Sequence, residues 1–335
     1  MKRIGFLFDK TFTKENLHLA YIDARKGKRN TGACFRFETD LWHNIGKLHA
    51  RLHSGTYRPQ PYKKFQVYEP KERTIYAPAF KDLVVQHAIY RVIYPIFDKT
   101  FVHTSYACRK GKGAHKASDY TQQAMRQCRP DEYSLKLDIR KYFYSISRGI
   151  LRRLIERKIK DRRFVDLMMA FADMEAPVGI PIGNLLSQIY ALIFLNPLDH
   201  FIKRVLKIKK YVRYVDDFIL IGMSRPQCIE LRKKIVDFIF RALKLQLSKS
   251  TIATIRRGIN FVGYRTWQAK RFIRKYSLFK FRRKAAQRDA AALASMLGHA
   301  KRTSSLIHLF KIIKEIGHDL EVPKNYRQLY HAHTG

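Results

Sequence analysis

Asp216 and Asp217 stand side by side in "KKYVRYVDDFILIG" (209–222), in a chain with only 27 acidic residues against 67 Lys and Arg. Like charges that close repel, so an adjacent pair needs something positive to offset it. Two β-rich runs flank the pair, and the pattern predicts a hairpin with the aspartates at its tip. A third carboxylate, Asp138, lies in "YSLKLDIRKYF" (133–143). There Leu135 and Leu137 face one way and Lys136 and Asp138 the other, as in a half-buried strand. If that strand lies beside the hairpin, three carboxylates meet. Oxygen ligands with room for water suit Mg²⁺. Two such ions about 3.5–4 Å apart stabilise the attacking and leaving oxygens of an in-line phosphoryl transfer. The plainer alternative is an Asp-Asp turn and a solvated Asp138. Asp138 alternating off the apolar face, inside a strongly basic chain, favours the metal reading.

The elements around these carboxylates decide whether they meet. Residues 80–97, "FKDLVVQHAIYRVIYPIF", place Phe80, Val84, Ala88, Val92 and Ile96 at helical spacing. Residues 150–171 return to that period through Leu151, Leu154, Ile155, Phe164, Met168 and Phe171. The stretch 185–195 reads as a buried helix, with Asn196-Pro197 as a cap and first-turn proline that restart it. Ser224-Arg225-Pro226 opens another helix, with Ile235, Phe238, Ile239 and Ala242 on one face. "LQLS" (245–248) and "NFVGYRTW" (260–267) read as further strands. From 131 to about 250 the order is therefore β-α(α)-β-β-α-β, the split βαβ or ferredoxin-like arrangement of an α+β fold. The tail from 268 on is basic and helical in composition and is expected to form a small separate unit.

The net charge is +40, and no Asp or Glu occurs between Phe238 and Arg288. Such self-repulsion makes sense when a polyanion is a normal partner. A basic membrane-surface protein would need an amphipathic anchor or a lipidation signal, and neither is visible. No uninterrupted apolar run reaches spanning length, and the N-terminal run is too short for a signal core. Cys34, Cys108, Cys128 and Cys228 are far apart, without the CxxC spacing of a zinc site. A soluble, cytoplasmic setting is the expectation.

"YVDD" (214–217) after "LDIRKYF" (137–143) resembles the catalytic core of a reverse transcriptase. Further motifs follow the same order. "KERTIYAPAFKDLVVQHAI" (71–89) and "SYACRKGKGAHKA" (105–117) resemble the fingers of group II intron-like bacterial enzymes. "NFVGY" (260–264) resembles their primer grip. Over essentially the whole chain, the resemblance is to the reverse transcriptases of diversity-generating retroelements. Their mark is an aliphatic residue, Gly, three residues and then Ser-Gln, where other reverse transcriptases usually carry Gln-Gly and end in Ser-Pro. Here the motif is Ile182-Gly183-Asn184-Leu185-Leu186-Ser187-Gln188.

The resemblance implies a right-hand polymerase: an N-terminal extension and fingers (1–128), a palm (129–266) and a short basic helical thumb (267–335). It implies that Asp138, Asp216 and Asp217 hold two catalytic Mg²⁺, with Mn²⁺ as a substitute. Phe143 falls at the steric-gate position, where a ring under the sugar excludes a 2′-hydroxyl. Its alternative is a core aromatic, since Tyr142, Phe143 and Tyr144 are consecutive. Arg73 and Lys71 fall where the fingers clamp the triphosphate. Ile182, Gly183 and Gln188 belong to a loop and helix start that press on the dNTP and the nascent base pair. Gly179 and Gly183 let backbone come close, and Pro181 stiffens the turn. Gly263 and Tyr264 in the primer grip, and Arg282, Arg283 and Lys284 in the tail, are expected to contact nucleic acid. Tyr214 is read as packing support and His115 as structural.

The chain departs from the family at one point. Alignment of "LQLSKSTI" (245–252) puts Thr251 at the position of a lysine proposed to protonate pyrophosphate, so Lys249 reads as a surface residue. The implied partners are template RNA, primer or cDNA, dNTPs and a small oligomeric accessory protein. The implied function is RNA-directed, error-prone synthesis of cDNA with errors mainly at template adenines. Two alternatives stay open: a group II intron-type or other bacterial reverse transcriptase, and a non-catalytic RNA-binding protein on a polymerase scaffold.

Overall fold

The computed structural model describes residues 3–68, 72–317 and 326–334. In chain order the elements begin with helices α1 (Leu7–Thr11), α2 (Lys14–Ala24), α3 (Gly32–Thr39) and α4 (Leu41–His53). Hairpin strands β1 (Lys63–Val67) and β2 (Arg73–Ala77) follow, then α5 (Phe80–Asp98) and α6 (Ala114–Arg126). Strand β3 (Tyr133–Ile139) leads into α7 (Tyr142–Ser145), α8 (Arg148–Glu156), α9 (Arg162–Ala170) and α10 (Leu185–His200). Next come β4 (Tyr211–Tyr214), β5 (Asp217–Met223), α11 (Arg225–Leu243) and β6 (Leu247–Thr254). The last elements are strands β7 (Ile259–Phe261), β8 (Tyr264–Thr266) and β9 (Arg271–Ile273), and helices α12 (Lys275–Ala286), α13 (Ala290–Ala300), α14 (Ser305–Ile316) and α15 (Arg327–Thr334).

The chain divides into two compact units, each assembled from three stretches. The first comprises residues 1–103, 139–206 and 235–248. It is built on α5 and α10, which pack on each other, with α2 against α5 and α8 against α10. Val84, Val85, Ala88, Ile89 and Ile93 of α5 are buried, as are Ile189, Tyr190, Phe194, Leu195 and Leu198 of α10. The predicted restart at Asn196-Pro197 does not occur: Pro197 lies inside one continuous helix, which runs on into a π-turn over Phe201–Val205. A proline removes one helical hydrogen bond, and burial on either side of it carries α10 through. Leu185–Val205 is long and apolar enough by length and composition to span a bilayer, although polar residues interrupt it, and most of its apolar stretch is buried inside the molecule.

The second unit comprises residues 104–138, 207–234 and 249–335. It holds a four-stranded sheet in the order β4-β5-β3-β6, the ferredoxin-like order expected from 131–250. α6 packs on β4 and β5. Ala117 and Met125 of α6, Val212, Ile219 and Ile221 of the sheet, and Ile259 and Phe261 of β7 share one buried cluster. The tail begins not with a helix but with β9, third strand of a small sheet ordered β7-β8-β9. Its helices then close a core of their own through Phe281, Leu293, Leu297, Leu309, Phe310 and Ile313.

Candidate active site

Antiparallel pairing of β3 with β5 sets Asp138 directly opposite Asp217, and Lys136 opposite Ile219. Directly paired residues share a face with Cβ atoms about 5 Å apart, so two carboxylates meet at one end of this sheet. β4 pairs with β5 in a register that puts Tyr214 opposite Asp217 and leaves Val215 and Asp216 as the two-residue turn. Val215 adopts a left-handed φ of 57°, as tight hairpin turns require. The wholly buried Arg213 braces this turn by donating from its guanidinium to the Val215 carbonyl at 2.9 Å. Asp216 is therefore the turn residue and Asp217 the first residue of β5, and all three aspartates are partly buried.

The offsetting cation is Lys136. Its Nζ lies 2.8 Å from Asp217 Oδ2 and donates to the Asn260 carbonyl on β7 at 2.7 Å. Burial nevertheless dominates at Asp217 and pushes its pKa up to about 6; Lys136 opposes that rise, while Asp138 and Asp216 add to it. Asp217 Oδ1 is buried without a hydrogen-bond partner. An orphaned carboxylate oxygen beside two further carboxylates fits a divalent cation, which favours hard oxygen donors. Among the described residues no group of three or more His, Cys, Asp or Glu side chains is placed to hold a metal ion. Lys136 is the charge that Asp217 meets.

In the first unit, the residues of the glycine-bearing loop meet the chain itself. Ile180 N donates to Phe143 O and Gly179 N to Ile146 O, both at 2.9 Å. A Cβ on Gly179 would come within 3.1 Å of the Tyr144 backbone, and one on Gly183 within 2.6 Å of Ile75 Cγ2. On the side where a Cβ would sit, these glycines lie against the protein's own α7 segment and β2. Ile182 is half-exposed, and its carbonyl accepts from Tyr76 N at 2.7 Å. Asn184 caps α10 through Leu186 N, while its amide donates to the Tyr62 hydroxyl and the Phe171 carbonyl. Gln188, in the first turn of α10, is exposed.

Of the three consecutive aromatics, Tyr142 is the buried one. Its hydroxyl donates to Ala191 O at 2.6 Å, whereas Phe143 is only partly buried. Arg73 is exposed at the start of β2, and Lys71 lies outside the described residues. Lys249 is exposed on β6, as expected. In the second unit, Tyr264 is fully buried, with its hydroxyl within 3.0 Å of both His115 Nδ1 and His299 Nδ1. Gly263, at φ 92°, abuts the His299 ring: a Cβ there would lie 2.9 Å from it. Arg282 and Arg283 are exposed on α12, while Lys284 pairs with Asp289 at 3.0 Å. The same helix exposes Tyr276 and Phe279. Lys136 was also missed as a site residue, although the strand alternation had already put it on the face of Asp138.

Residues 62–266 match the family model "Reverse transcriptase (RNA-dependent DNA polymerase)". The chain is 27% identical to Protein YkfC of Escherichia coli K12 over 267 residues, covering 65% of this chain and 70% of that protein. It is 25% identical to the group II intron-encoded protein LtrA of Lactococcus lactis over 296 residues, covering 66% of this chain but only about half, 49%, of LtrA. Among solved structures, apo telomerase from Candida tropicalis superposes with a TM-score of 0.50 over 88% of this chain and 64% of that one, at 11% identity. That likeness concerns the right-hand polymerase fold alone. The family model spans most of the chain, including all three aspartates and the Ile182 loop, and this chain belongs to the reverse transcriptase family.

Proposed function

We propose that this chain is an RNA-directed DNA polymerase of the diversity-generating kind, copying a template-repeat RNA into cDNA with errors concentrated at template adenines. The polymerase part rests on Asp138 held opposite Asp217, with Asp216 in the adjoining turn. Two Mg²⁺ ions (or Mn²⁺) bound there would stabilise the charge that develops on the attacking and leaving oxygens. Asp138, Asp216 and Asp217 are the residues to hold them, and an ionised Asp217 is required. Arg73 and Lys71 clamp the triphosphate, for which a planar guanidinium offers a bidentate fit. Phe143 excludes the 2′-hydroxyl. Arg282 and Arg283, with the exposed Tyr276 and Phe279 on the same helix, supply phosphate and stacking contacts for template and primer. Residues 1–128 act as fingers with an N-terminal extension, 129–266 as palm and 267–335 as thumb. A small oligomeric accessory protein completes the working assembly.

The diversifying half of the reading is carried by Ile182. Its backbone is tied to β2, while its side chain stays half-exposed and apolar where most relatives place a glutamine. A glutamine amide hydrogen-bonds around the dNTP and holds correct geometry; isoleucine has no donor or acceptor to do so. The likeness to LtrA favours a second reading, an intron-type enzyme without a base-specific error bias.

Primer extension on an RNA template with dNTPs and Mg²⁺ tests both. Wild type extends and the Asp216→Ala, Asp217→Ala double variant does not; equal extension by the double variant removes the metal assignment. Errors counted per template base separate the two polymerase readings. An adenine excess that Ile182→Gln lowers supports the diversifying reading, and an even spectrum supports the intron-type one. No extension by either protein, even with accessory protein and native RNA, indicates an RNA-binding scaffold.

A further inference from the structure

Lys136 makes two bonds that belong to different elements. Its ammonium contacts the Asp217 carboxylate on β5 and the Asn260 backbone carbonyl on β7, at 2.8 and 2.7 Å. The same Nζ lies 5.9 Å from the centre of the Phe261 ring, the next residue on β7. About a quarter of each side chain is exposed, 25% for Lys136 and 22% for Asp217, so the pair is shielded but reachable. β3 presents Lys136 and Asp138 on one face because side chains two apart along a strand point the same way. A lysine here answers the repulsion between Asp138 and Asp217. Its second role follows from the second bond: β7 opens the hairpin of the primer-grip motif, so one ammonium holds the carboxylate and the hairpin together.

We infer that Lys136 is a positioning residue that serves as the site's internal cation, competing with a divalent ion for Asp217 while anchoring the β7–β8 hairpin beside it. This rests on the polymerase reading of the three aspartates. Before metal binds, Lys136 keeps the carboxylates from repelling and fixes the hairpin through Asn260. When a divalent ion takes Asp217, the ammonium loses its ionic partner and keeps the carbonyl. The hairpin therefore stays anchored while the carboxylate turns over to the metal. Lysine suits this better than arginine, since a compact ammonium on a flexible stem moves between two single acceptors, whereas a guanidinium is built for bidentate fixation.

Two neutral variants of the full-length protein separate the two bonds. Lys136→Gln removes the charge but keeps a donor for the Asn260 carbonyl; Lys136→Met removes both. Mn²⁺ affinity is read from the free-ion EPR signal without substrate, and hairpin anchoring from hydrogen exchange of residues 259–266 without metal. Removing one positive charge beside the site tightens Mn²⁺ binding in both variants by on the order of tenfold or more. Exchange of the hairpin amides accelerates in Lys136→Met and stays near wild type in Lys136→Gln, while amides of α5 keep their protection in both, reporting an intact fold. Unchanged or weaker Mn²⁺ binding in Lys136→Gln overturns the competition, and equal hairpin exchange in the two variants overturns the anchoring through Asn260. Asp217→Asn is the control for the underlying reading. If it binds Mn²⁺ as wild type does, the metal site itself is misassigned; if it loses binding while the lysine variants do not gain it, only the role of Lys136 fails.

Discussion

The backbone amide of Tyr76 donates to the carbonyl of Ile182 at 2.7 Å, tying the loop before α10 to the second strand of the N-terminal hairpin. The contact is possible because the next residue, Gly183, has no side chain. At φ +98° it occupies a conformation that L-residues rarely adopt, and an added Cβ would lie 2.6 Å from Ile75 Cγ2. Gly183→Ala is therefore expected to cost about 1–3 kcal/mol from the backbone conformation, plus the displacement of Ile75. Adding Ile75→Ala relieves the clash but not the backbone strain. Thermal melts of the single and double variants check this: partial recovery in the double variant is the expected pattern, and a wild-type melt for Gly183→Ala alone contradicts it.

Two partly buried titratable groups give opposite pH dependences, one in each compact unit. Burial lowers His87 from its ordinary 6.5 to about 4, with Lys26 and Arg91 helping and Asp23 opposing. Its folded pKa lies below the unfolded one, so its contribution is complete above pH 6.5 and is lost as pH falls toward 4; the total is about 3 kcal/mol. Asp217 runs the other way. Its pKa is raised from 3.8 to about 6, so neutral Asp217 favours folding below 3.8 and that gain is lost as pH rises through 6. Hydrogen exchange, corrected for its intrinsic rate, separates the two. Amides of α5 lose protection on acidification, and those of β5 lose it on going from pH 4 to 7. Asp217→Asn abolishes the second trend and raises protection of β5 at neutral pH, while removing polymerase activity. A protein that gives up stability to keep a carboxylate ionised is using that carboxylate.

The palm was legible because its signals are local. Alternation in 133–139 put Lys136 and Asp138 on one face, and two β-rich runs around a two-residue turn specified the hairpin. The order of elements then left a single familiar sheet. What the sequence could not show depends on contacts between distant residues. Lys136 finds Asn260 across 124 positions, and Tyr264 finds His115 across 149. The tail's aromatics divide the same way: Phe281 is core while Tyr276 and Phe279 are exposed, a distinction set by α13 and α14 rather than by α12. Gly179 and Gly183 lie against Tyr144 and Ile75, contacts with residues far away in the chain that no local pattern shows. Pro197 misled, since a proline signals a helix boundary only when neighbouring burial is too weak to carry the helix through it.

Phe143 provides the test of substrate choice. Tyr142, its neighbour, turns inward and spends its hydroxyl on the Ala191 carbonyl, while Phe143 stays partly buried, with ring centroids 5.6 Å apart. The Phe143 carbonyl accepts from Ile180 N, so the backbone that carries the ring is fixed by the same loop that carries Ile182. A ring on a backbone fixed in this way makes a better steric barrier than one on a free segment. Rejection of an added hydroxyl by an apolar wall amounts to roughly 10–100-fold. Phe143→Ala is expected to erase that margin, raising ribonucleotide incorporation against dNTPs by the same factor, with dNTP kcat/KM changed far less. Tyr142→Phe separates gate from packing: it leaves nucleotide choice intact and costs about 1 kcal/mol of stability from the lost hydrogen bond. Single-nucleotide extension with paired rNTP and dNTP series gives the ratio directly. If Phe143→Ala keeps the wild-type ratio but melts earlier, the ring is packing and the barrier to ribonucleotides stands elsewhere in the chain.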